Sequence, residues 1–425
     1  MVELDSESIG VRTLRGEASP GYYGWKVLLA SVVGMMFSPG PLVFGSMGVL
    51  AASLQTDFGW GISEIMLALT IQTFAAVLAA PFTGRLIDRK GVKIVLLASV
   101  VIHAALWMLI PLFMTDIWQF YGLIFLAGLL TVGMQSIAYV RTLSAWFDTH
   151  RGLSIGIAAS GMGLGYMVMP VITHFAVTYG GWQAGFYCLG AILMVVSLPI
   201  LILVMRNEPG DQDIEDTSGT ESNASGRAIG LTTKQAVRSG VFWLIAGAIM
   251  VFSFILTGLL PNIVPILTSR GITSGEAVMA ASVMGLATFV GRITVGYLID
   301  RYFAPRIAIF FFGISTLGLF ILITADNGAV VLLAMSMLGL GFGAESDLVG
   351  YLVSRYFGLK SFGEIYGYIL AAFLVGAGAG PYLIGASYDL WGSFQPALMS
   401  LSVLSIFGCF LFAFMKPYPN FDNQD

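Results

Sequence analysis

Two kinds of charge stand inside runs that are otherwise apolar enough for a bilayer. The first is Arg292, in Gly291-Arg292-Ile293-Thr294-Val295-Gly296-Tyr297-Leu298-Ile299-Asp300-Arg301, downstream of an apolar stretch that begins near Val278. At about 1.5 Å per residue it lies roughly 12 Å short of the helix end near Asp300. A cation at that depth costs at least about 2.5–3.5 kcal/mol on insertion scales, so it is expected to face protein or water and to mark a functional position. A long basic side chain can instead snorkel to the interface, but Arg301 and Arg306 already occupy that boundary. The chemistry expected of Arg292 is to hold the negative group of a transported anion.

The second kind is the pair Glu345 and Asp347, in Gly341-Phe342-Gly343-Ala344-Glu345-Ser346-Asp347. Intramembrane carboxylates are costly and usually functional. Two residues apart is about 200° on a helix, so the two cannot face one cavity. Asp347, Tyr351 and Arg355 lie near one stripe, which suits a structural pair close to the membrane surface. Glu345 is then the better proton carrier, poised between burial and a neighbouring cation, which act in opposite senses on a carboxylate. The alternative is that both acids are members of structural ion pairs. His103, midway along its apolar run, also titrates in the right range, with hydrogen-bonded packing as its competing role.

Irregular backbone is expected at Ser38-Pro39-Gly40-Pro41 and Pro261-Asn262-Ile263-Val264-Pro265, because proline removes helical hydrogen bonds. Backbone so freed must be buried in protein or line a cavity. These two segments should flex at the outer gate, with Asn262 in reach of a substrate. Tyr139, Tyr351 and Tyr366 are further candidates to line the path. The glycines of Gly161-Met162-Gly163-Leu164-Gly165 and Gly376-Ala377-Gly378-Ala379-Gly380 let helices approach closely.

Such residues need a membrane scaffold, and the composition supplies one. Of 425 residues 57% are hydrophobic and 10% charged, with a mean hydropathy of +0.86. A soluble chain carries about 25% charge, so this is read as an integral membrane protein. The net charge of −4 argues for no nucleic-acid partner. Cys188 and Cys409, the only cysteines, each lie in an apolar run and give neither a disulfide framework nor a metal cluster. No HExxH pattern and no phosphate-cradling glycine loop with lysine is present, so neither catalytic residues nor a cofactor are expected beyond a proton as coupling ion. Met1 to Tyr23 is polar and mixed in charge, and no cleavable signal is expected.

Apolar stretches near the spanning length of about 20 residues fall at roughly 26–48, 62–83, 92–113, 117–140, 152–177 and 183–205. A second set falls at 240–267, 276–299, 304–324, 328–352, 362–388 and 394–415. The expectation is an all-α membrane protein with twelve transmembrane helices in two pseudo-symmetric six-helix bundles. The division is an N-terminal segment 1–25, a bundle 26–205, a linker 206–238, a bundle 239–415 and a tail 416–425. The linker, with Asp211, Asp213, Glu215, Asp216 and a Ser/Gly/Asn-rich piece, reads as solvated and partly disordered. Arg85, Arg89, Lys90, Lys93, Arg151, Arg206, Arg227, Lys234, Arg238, Arg301, Arg306, Arg355 and Lys360 all fall on one side, together with the termini. The positive-inside rule makes that side cytoplasmic, in a cell inner (plasma) membrane.

The halves repeat. Gly84-Arg85-Leu86-Ile87-Asp88-Arg89 recurs as Gly296-Tyr297-Leu298-Ile299-Asp300-Arg301, Trp146-Phe147 as Tyr356-Phe357, and Gly165…Pro170 as Gly376…Pro381, at nearly one offset. Parallel halves of this kind signal a transporter with its site at the half–half interface. In the loop motif, Asp88 and Asp300 end helices where a carboxylate can cap the N-terminus of an adjacent one. Arg85, Arg89 and Arg301 can pair with neighbouring acids, closing the inner mouth in one state and releasing it in another. Arg141 is expected as a gate or loop anchor, and a second anion contact after that.

Gly84-Arg85-Leu86-Ile87-Asp88-Arg89-Lys90-Gly91-Val92-Lys93 resembles the loop motif after the second helix of the major facilitator superfamily. Within it, Trp146-Phe147-Asp148-Thr149-His150-Arg151-Gly152-Leu153-Ser154-Ile155-Gly156-Ile157-Ala158-Ala159-Ser160-Gly161 is similar to the fifth-helix signature of monocarboxylate transporters and oxalate–formate antiporters. Tyr23-Gly24-Trp25 resembles a remnant of their first-helix motif. The resemblance implies that Arg292 corresponds to the eighth-helix arginine that binds the carboxylate. Where animal members carry an aspartate one turn earlier this chain has Thr288, and their first-helix lysine falls near Val43. The resemblance thus implies a bacterial member with its proton-carrying acid elsewhere. The functional expectation is proton symport of a small organic monocarboxylate by a protein working as a monomer in membrane lipid. The alternatives are organic-anion exchange, export of a larger amphipathic acid, or a transporter-like sensor.

Overall fold

Hydrocarbon offers no partner to a backbone N–H or C=O, so each span must satisfy itself, and the helix alone does this one segment at a time. The structure, a computed structural model, describes residues 11–14, 19, 21–147, 150–206, 214–217, 230–325, 327–358 and 360–419, with backbone alone at 11–14, 214–217, 346 and 347.

The first span joins α1 (Tyr23–Met36), a π-helical turn (Gly40–Phe44) and α2 (Gly45–Phe58). The break expected at Ser38–Pro41 is this π turn. α3 (Ile62–Lys90) and α4 (Val92–Phe113) are the second and third spans. The fourth, continuous in the sequence reading, is α5 (Ile117–Leu130) and α6 (Ser136–Trp146) separated by a 3-10 turn at Val132–Met134. α7 (Arg151–Ile192) holds the fifth span and enters the sixth across Gly180 and Gly181, whose φ of 69° only glycine adopts without strain. A π turn (Leu193–Ser197) and α8 (Leu198–Val204) complete the sixth.

The second half repeats the plan with α10 (Gly240–Thr268), α11 (Ser274–Ile299), α12 (Ala304–Thr324), α13 (Gly328–Phe357), α14 (Phe362–Trp391) and α15 (Gln395–Ala413), preceded by the short linker helix α9 (Thr233–Arg238). The membrane-spanning part is therefore all-helical, with twelve spans in two pseudo-symmetric bundles of six. Helix starts follow their caps. The Asp116 carboxylate accepts from the amides of Trp118 and Gln119 at the head of α5. Thr273 and Glu276 form a capping box at the head of α11. An even number of spans puts both chain ends on one face, termed here the terminal face; the other is the distal face.

One expectation changes. α10 runs through Pro261 and Pro265 as one continuous helix, and its residues 255–267 are all buried. Packing on every side holds the helix where two donors are missing, and the Asn262 amide donates to Gly258 O (2.9 Å) and across to Pro381 O of α14 (3.1 Å). Two described pieces of the linker make regular structure. β1 (Val11–Leu14) pairs antiparallel with β2 (Ile214–Thr217). Leu231 N donates to Phe357 O (2.8 Å), and α9 starts on a Thr232/Gln235 capping box.

Aromatic stacks fill each bundle. Phe252, Phe312 and Phe412 stack in the second half, with Phe252 and Phe312 centroids 3.8 Å apart. In the first, Trp107 stacks on Phe186 and Trp60 on Phe120, and the two pairs meet edge to face through Phe120 and Phe186. Burial of such rings costs few rotamers and removes large areas from lipid and water.

Candidate functional site

The halves meet chiefly along two seams, α7 against α11 and α3 against α14, with α2 against α10 between them. At the distal end of the second seam the Asp389 carboxylate of α14 accepts from the amides of Ile62 (3.0 Å) and Ser63 (2.7 Å), the first two residues of α3. A carboxylate at the positive end of a helix is a charge–dipole clasp. Between α2 and α10, a Cβ at Gly48 would stand 2.3 Å from Pro261 O, the carbonyl that Pro265 leaves without its helical donor. Further in, the Thr70 hydroxyl donates to Gly378 O. On the other seam Ser274 Oγ and His174 Nδ1 lie 3.3 Å apart, and a Cβ at Gly163 would lie 2.7 Å from Phe289 N.

Toward the terminal face both seams part. About two turns along the same faces, Gly156 of α7 and Gly296 of α11 have nothing within 4 Å of a Cβ position. About four turns along α3 from Thr70 and three along α14 from Gly378, Gly84 and Gly367 are equally open. The molecule is closed at the distal face and open as a cleft to the terminal face.

Arg292 sits where the closed part ends. It is 8% exposed, and its Nη1 donates across the seam to Ala159 O of α7 (2.8 Å), with Met162 Sδ 3.9 Å away. The backbone allows this depth because α13 presses on α11 at glycines: a Cβ on Gly343 would lie 2.4 Å from Thr288 O and 2.6 Å from Arg292 N. Glu345 of α13 is 1% exposed, and its Oε1 has no hydrogen-bond partner. Arg292, Glu345 and Tyr166 act on one another electrostatically. The Tyr166 ring packs on Phe342 with centroids 5.3 Å apart, and its hydroxyl lies 3.0 Å from a Cβ position on Gly40 in the π turn. A cation, a carboxylate and a phenol from α7, α11 and α13 thus converge at the apex of the cleft, an arrangement suited to holding a small anion and exchanging a proton.

Tyr166, Met162 and Ala159 were not singled out from the sequence, although their i, i+3, i+7 spacing places them on one helical stripe. Asp389 was missed as well; an acid at the distal end of one span opposite the N-terminus of another was its signal.

Other candidates lie elsewhere. His103 does not join this group. It is fully buried in the first half, where Trp107 Nε1–H donates to its Nε2 (2.7 Å) and its Nδ1 meets Thr131 Oγ1 (3.1 Å). With Nε2 accepting, Nδ1 carries the proton and the ring is neutral, a hydrogen-bonded packing position inside the first half. Asn262 is 0% exposed and ties α10 to α14 instead of facing the cleft. Tyr139, 0% exposed, packs within the first half against Gly34 of α1. Tyr366 stacks on Phe362 near the terminal face, and Tyr351 lies within electrostatic reach of Tyr418 there. The side chain of Asp347 lies outside the described residues.

The loop motif is also rearranged. Asp88 pairs with Arg141 of α6 inside the first half instead of capping an adjacent helix. The Arg85, Arg301 and Arg355 guanidiniums lie over the rings of Phe82 (5.8 Å), Tyr297 (3.6 Å) and Tyr418 (4.7 Å), and none of the three forms an ion pair among the described residues. Asp300 and Arg89 are exposed at the ends of α11 and α3. Among the described residues no group of three or more His, Cys, Asp or Glu side chains could hold a metal.

Twelve spans in two repeated bundles, closed at one face and cleft at the other around a buried charge, define a polytopic membrane transporter. Residues 27–370 match the family model of the Major Facilitator Superfamily. The chain belongs to that superfamily, and it is a transporter, not an enzyme. It is 24% identical to the MFS-type transporter YhjX of Escherichia coli K12, over 83% of this chain and 85% of the relative. It is 25% identical to a gentisate transporter of Corynebacterium glutamicum over 77% and 73%, and 23% identical to human monocarboxylate transporter 11 over 92% and 83%. Its fold is similar to that of a bacterial homolog of the human lysosomal transporter Spinster in an inward-facing, occupied conformation. That likeness has a TM-score of 0.65 at 15% identity and covers 93% of this chain and 97% of that one.

Proposed function

We propose that this chain carries a small organic monocarboxylate across the membrane by proton symport and alternating access. The observation that carries the reading is Arg292: buried, at the apex of the cleft, and donating a hydrogen bond from one half to the other close to where the seams part. An incoming carboxylate competes with Ala159 O for the guanidinium, and charge-assisted bonds to a carboxylate are roughly twice as strong as neutral ones. Binding therefore acts directly on the α7–α11 seam. Glu345, buried beside the same charge with one oxygen unpartnered, takes the coupled proton. Relatives named for gentisate and for monocarboxylates, both carboxylates, support the substrate class.

The basic residues gathered on the terminal face make it the cytoplasmic one, in a cell inner membrane, so the cleft described here is the inward-open state. The motif residues Gly84, Arg85, Asp88 and Arg141 then belong to the inner gate, which is apart in this state.

Purified protein in proteoliposomes tests this against a panel of mono-, di- and aromatic carboxylates. An inward acid gradient should drive accumulation of at least one monocarboxylate, and Glu345→Gln should remove the pH dependence while leaving exchange of labelled for unlabelled substrate. Flux that needs a counter-anion and ignores the gradient would assign the protein to anion exchange instead, and no flux with tight binding would make it a sensor.

A further inference from the structure

A second site lies away from the cleft, where the linker helix meets the bundle. At the terminal face an open groove of about 700 Å³ is bounded by α9 and the first turns of α10 and α14. Its walls carry Lys234 and Arg238 from α9, Trp243 from α10, and Glu364 and Tyr368 from α14. One oxygen of Glu364 accepts from the Thr233 hydroxyl (2.5 Å), and among the described residues neither Lys234 nor Arg238 forms an ion pair. Two cations therefore face one engaged carboxylate. Trp243 donates its indole N–H to Val237 O (3.0 Å), which fixes an otherwise exposed ring at the rim. An amphipathic ring with its polar edge tied down belongs at the headgroup level.

The groove does not end in water. Tyr368, Val375, Leu383 and Leu390 follow at seven- and eight-residue spacing, so they form one stripe down α14. They are 53%, 63%, 50% and 73% exposed. Large apolar side chains left uncovered along the whole length of a spanning helix face lipid tails. The stripe leaves the groove and runs toward the distal face, the course of an acyl chain hanging from a headgroup held by Lys234 and Arg238.

We propose that this groove is a binding site for one anionic glycerophospholipid, its phosphate between Lys234 and Arg238 and its glycerol and first methylenes against Trp243 and Tyr368. Basic clusters between helices next to the membrane surface recognise such headgroups. The site joins the linker to α14, the helix that holds the distal clasp through Asp389, so its occupant bears on a moving part while lying outside the substrate path.

Native mass spectrometry of the purified protein in detergent tests the site without reference to any substrate. Wild type should retain one phosphatidylglycerol in preference to phosphatidylcholine at equal concentration, with glycerol 3-phosphate failing to displace it. The double variant Lys234→Gln/Arg238→Gln should lose the bound lipid by roughly tenfold or more. Lys234→Arg/Arg238→Lys and the control Lys416→Gln should behave as wild type. Equal retention of the zwitterionic lipid, displacement by glycerol 3-phosphate, or undiminished phosphatidylglycerol on the double glutamine variant would each overturn the proposal. The lipid competition on wild type decides the matter even if a variant does not fold.

Discussion

Arg292 and His103 show how similar signals in sequence part company in three dimensions. Both are ionisable groups in the middle of apolar runs, but Arg292 reaches across to the other half while His103 spends both ring nitrogens inside its own bundle. Replacing Arg292 by glutamine should lower initial carboxylate uptake by roughly 10- to 150-fold, the equivalent of about 1.5–3 kcal/mol for a charged hydrogen bond. Lysine should restore only part of it, since it lacks the planar fork. Uptake undiminished in Arg292→Gln would remove the anion from this site. His103→Phe should instead lower thermal stability by about 1–3 kcal/mol, because Trp107 Nε1–H loses its acceptor in a buried setting. The pH profile of transport should not move; a shifted profile would return His103 to the proton path.

At the scale of elements, the clasp between α14 and the head of α3 and the close approach of α2 to α10 both hold the distal face shut. Asp389→Ala removes the charge from the helix N-terminus, a loss of about 0.3–2 kcal/mol. The equilibrium should move away from the cleft-open state by roughly 2- to 30-fold. In a Cys188→Ser/Cys409→Ser background, a thiol at Leu153→Cys on the terminal side should then react more slowly with a membrane-impermeant reagent, and a thiol at Ser63→Cys on the distal side faster. Unchanged labelling at both positions would mean the clasp is incidental. Gly48→Leu pushes in the same sense by sterics, since even a Cβ meets a backbone oxygen at 2.3 Å. It should fold, keep the distal face apart and abolish net transport, which labelling and flux on one preparation can separate.

For the molecule as a whole, the open cleft explains why the loop motif is so quiet. Its one ion pair among the described residues, Asp88 with Arg141, is exposed on both sides (63% and 51%) and lies within one half. Exposed pairs contribute about 0–1 kcal/mol. Asp88→Asn should therefore leave the melting temperature of this state nearly unchanged while slowing net transport, whose cycle includes a state with the inner mouth closed. Transport at the wild-type rate would show that the motif sets topology alone.

The bilayer makes some of this legible in one dimension. Span number, the repeat of two halves, and the cost of a charge at mid-depth are properties of single apolar segments, so the twelve spans, Arg292 and Glu345 stand out without coordinates. The break at Ser38–Pro41 was local and was read correctly. The parallel expectation at Pro261–Pro265 was not, because burial along α10 and the Asn262 tie to α14 overrode local chemistry. Tyr166 beside Arg292, Asp389 on the amides of α3, Tyr139 against Gly34 and Asn262 on the Pro381 carbonyl depend on which helices lie side by side. So does the direction in which the cleft opens. Those pairings join residues more than a hundred positions apart, and no periodicity within either segment encodes its neighbour; only the packing of the two halves brings the guanidinium, the carboxylate and the phenol to one place.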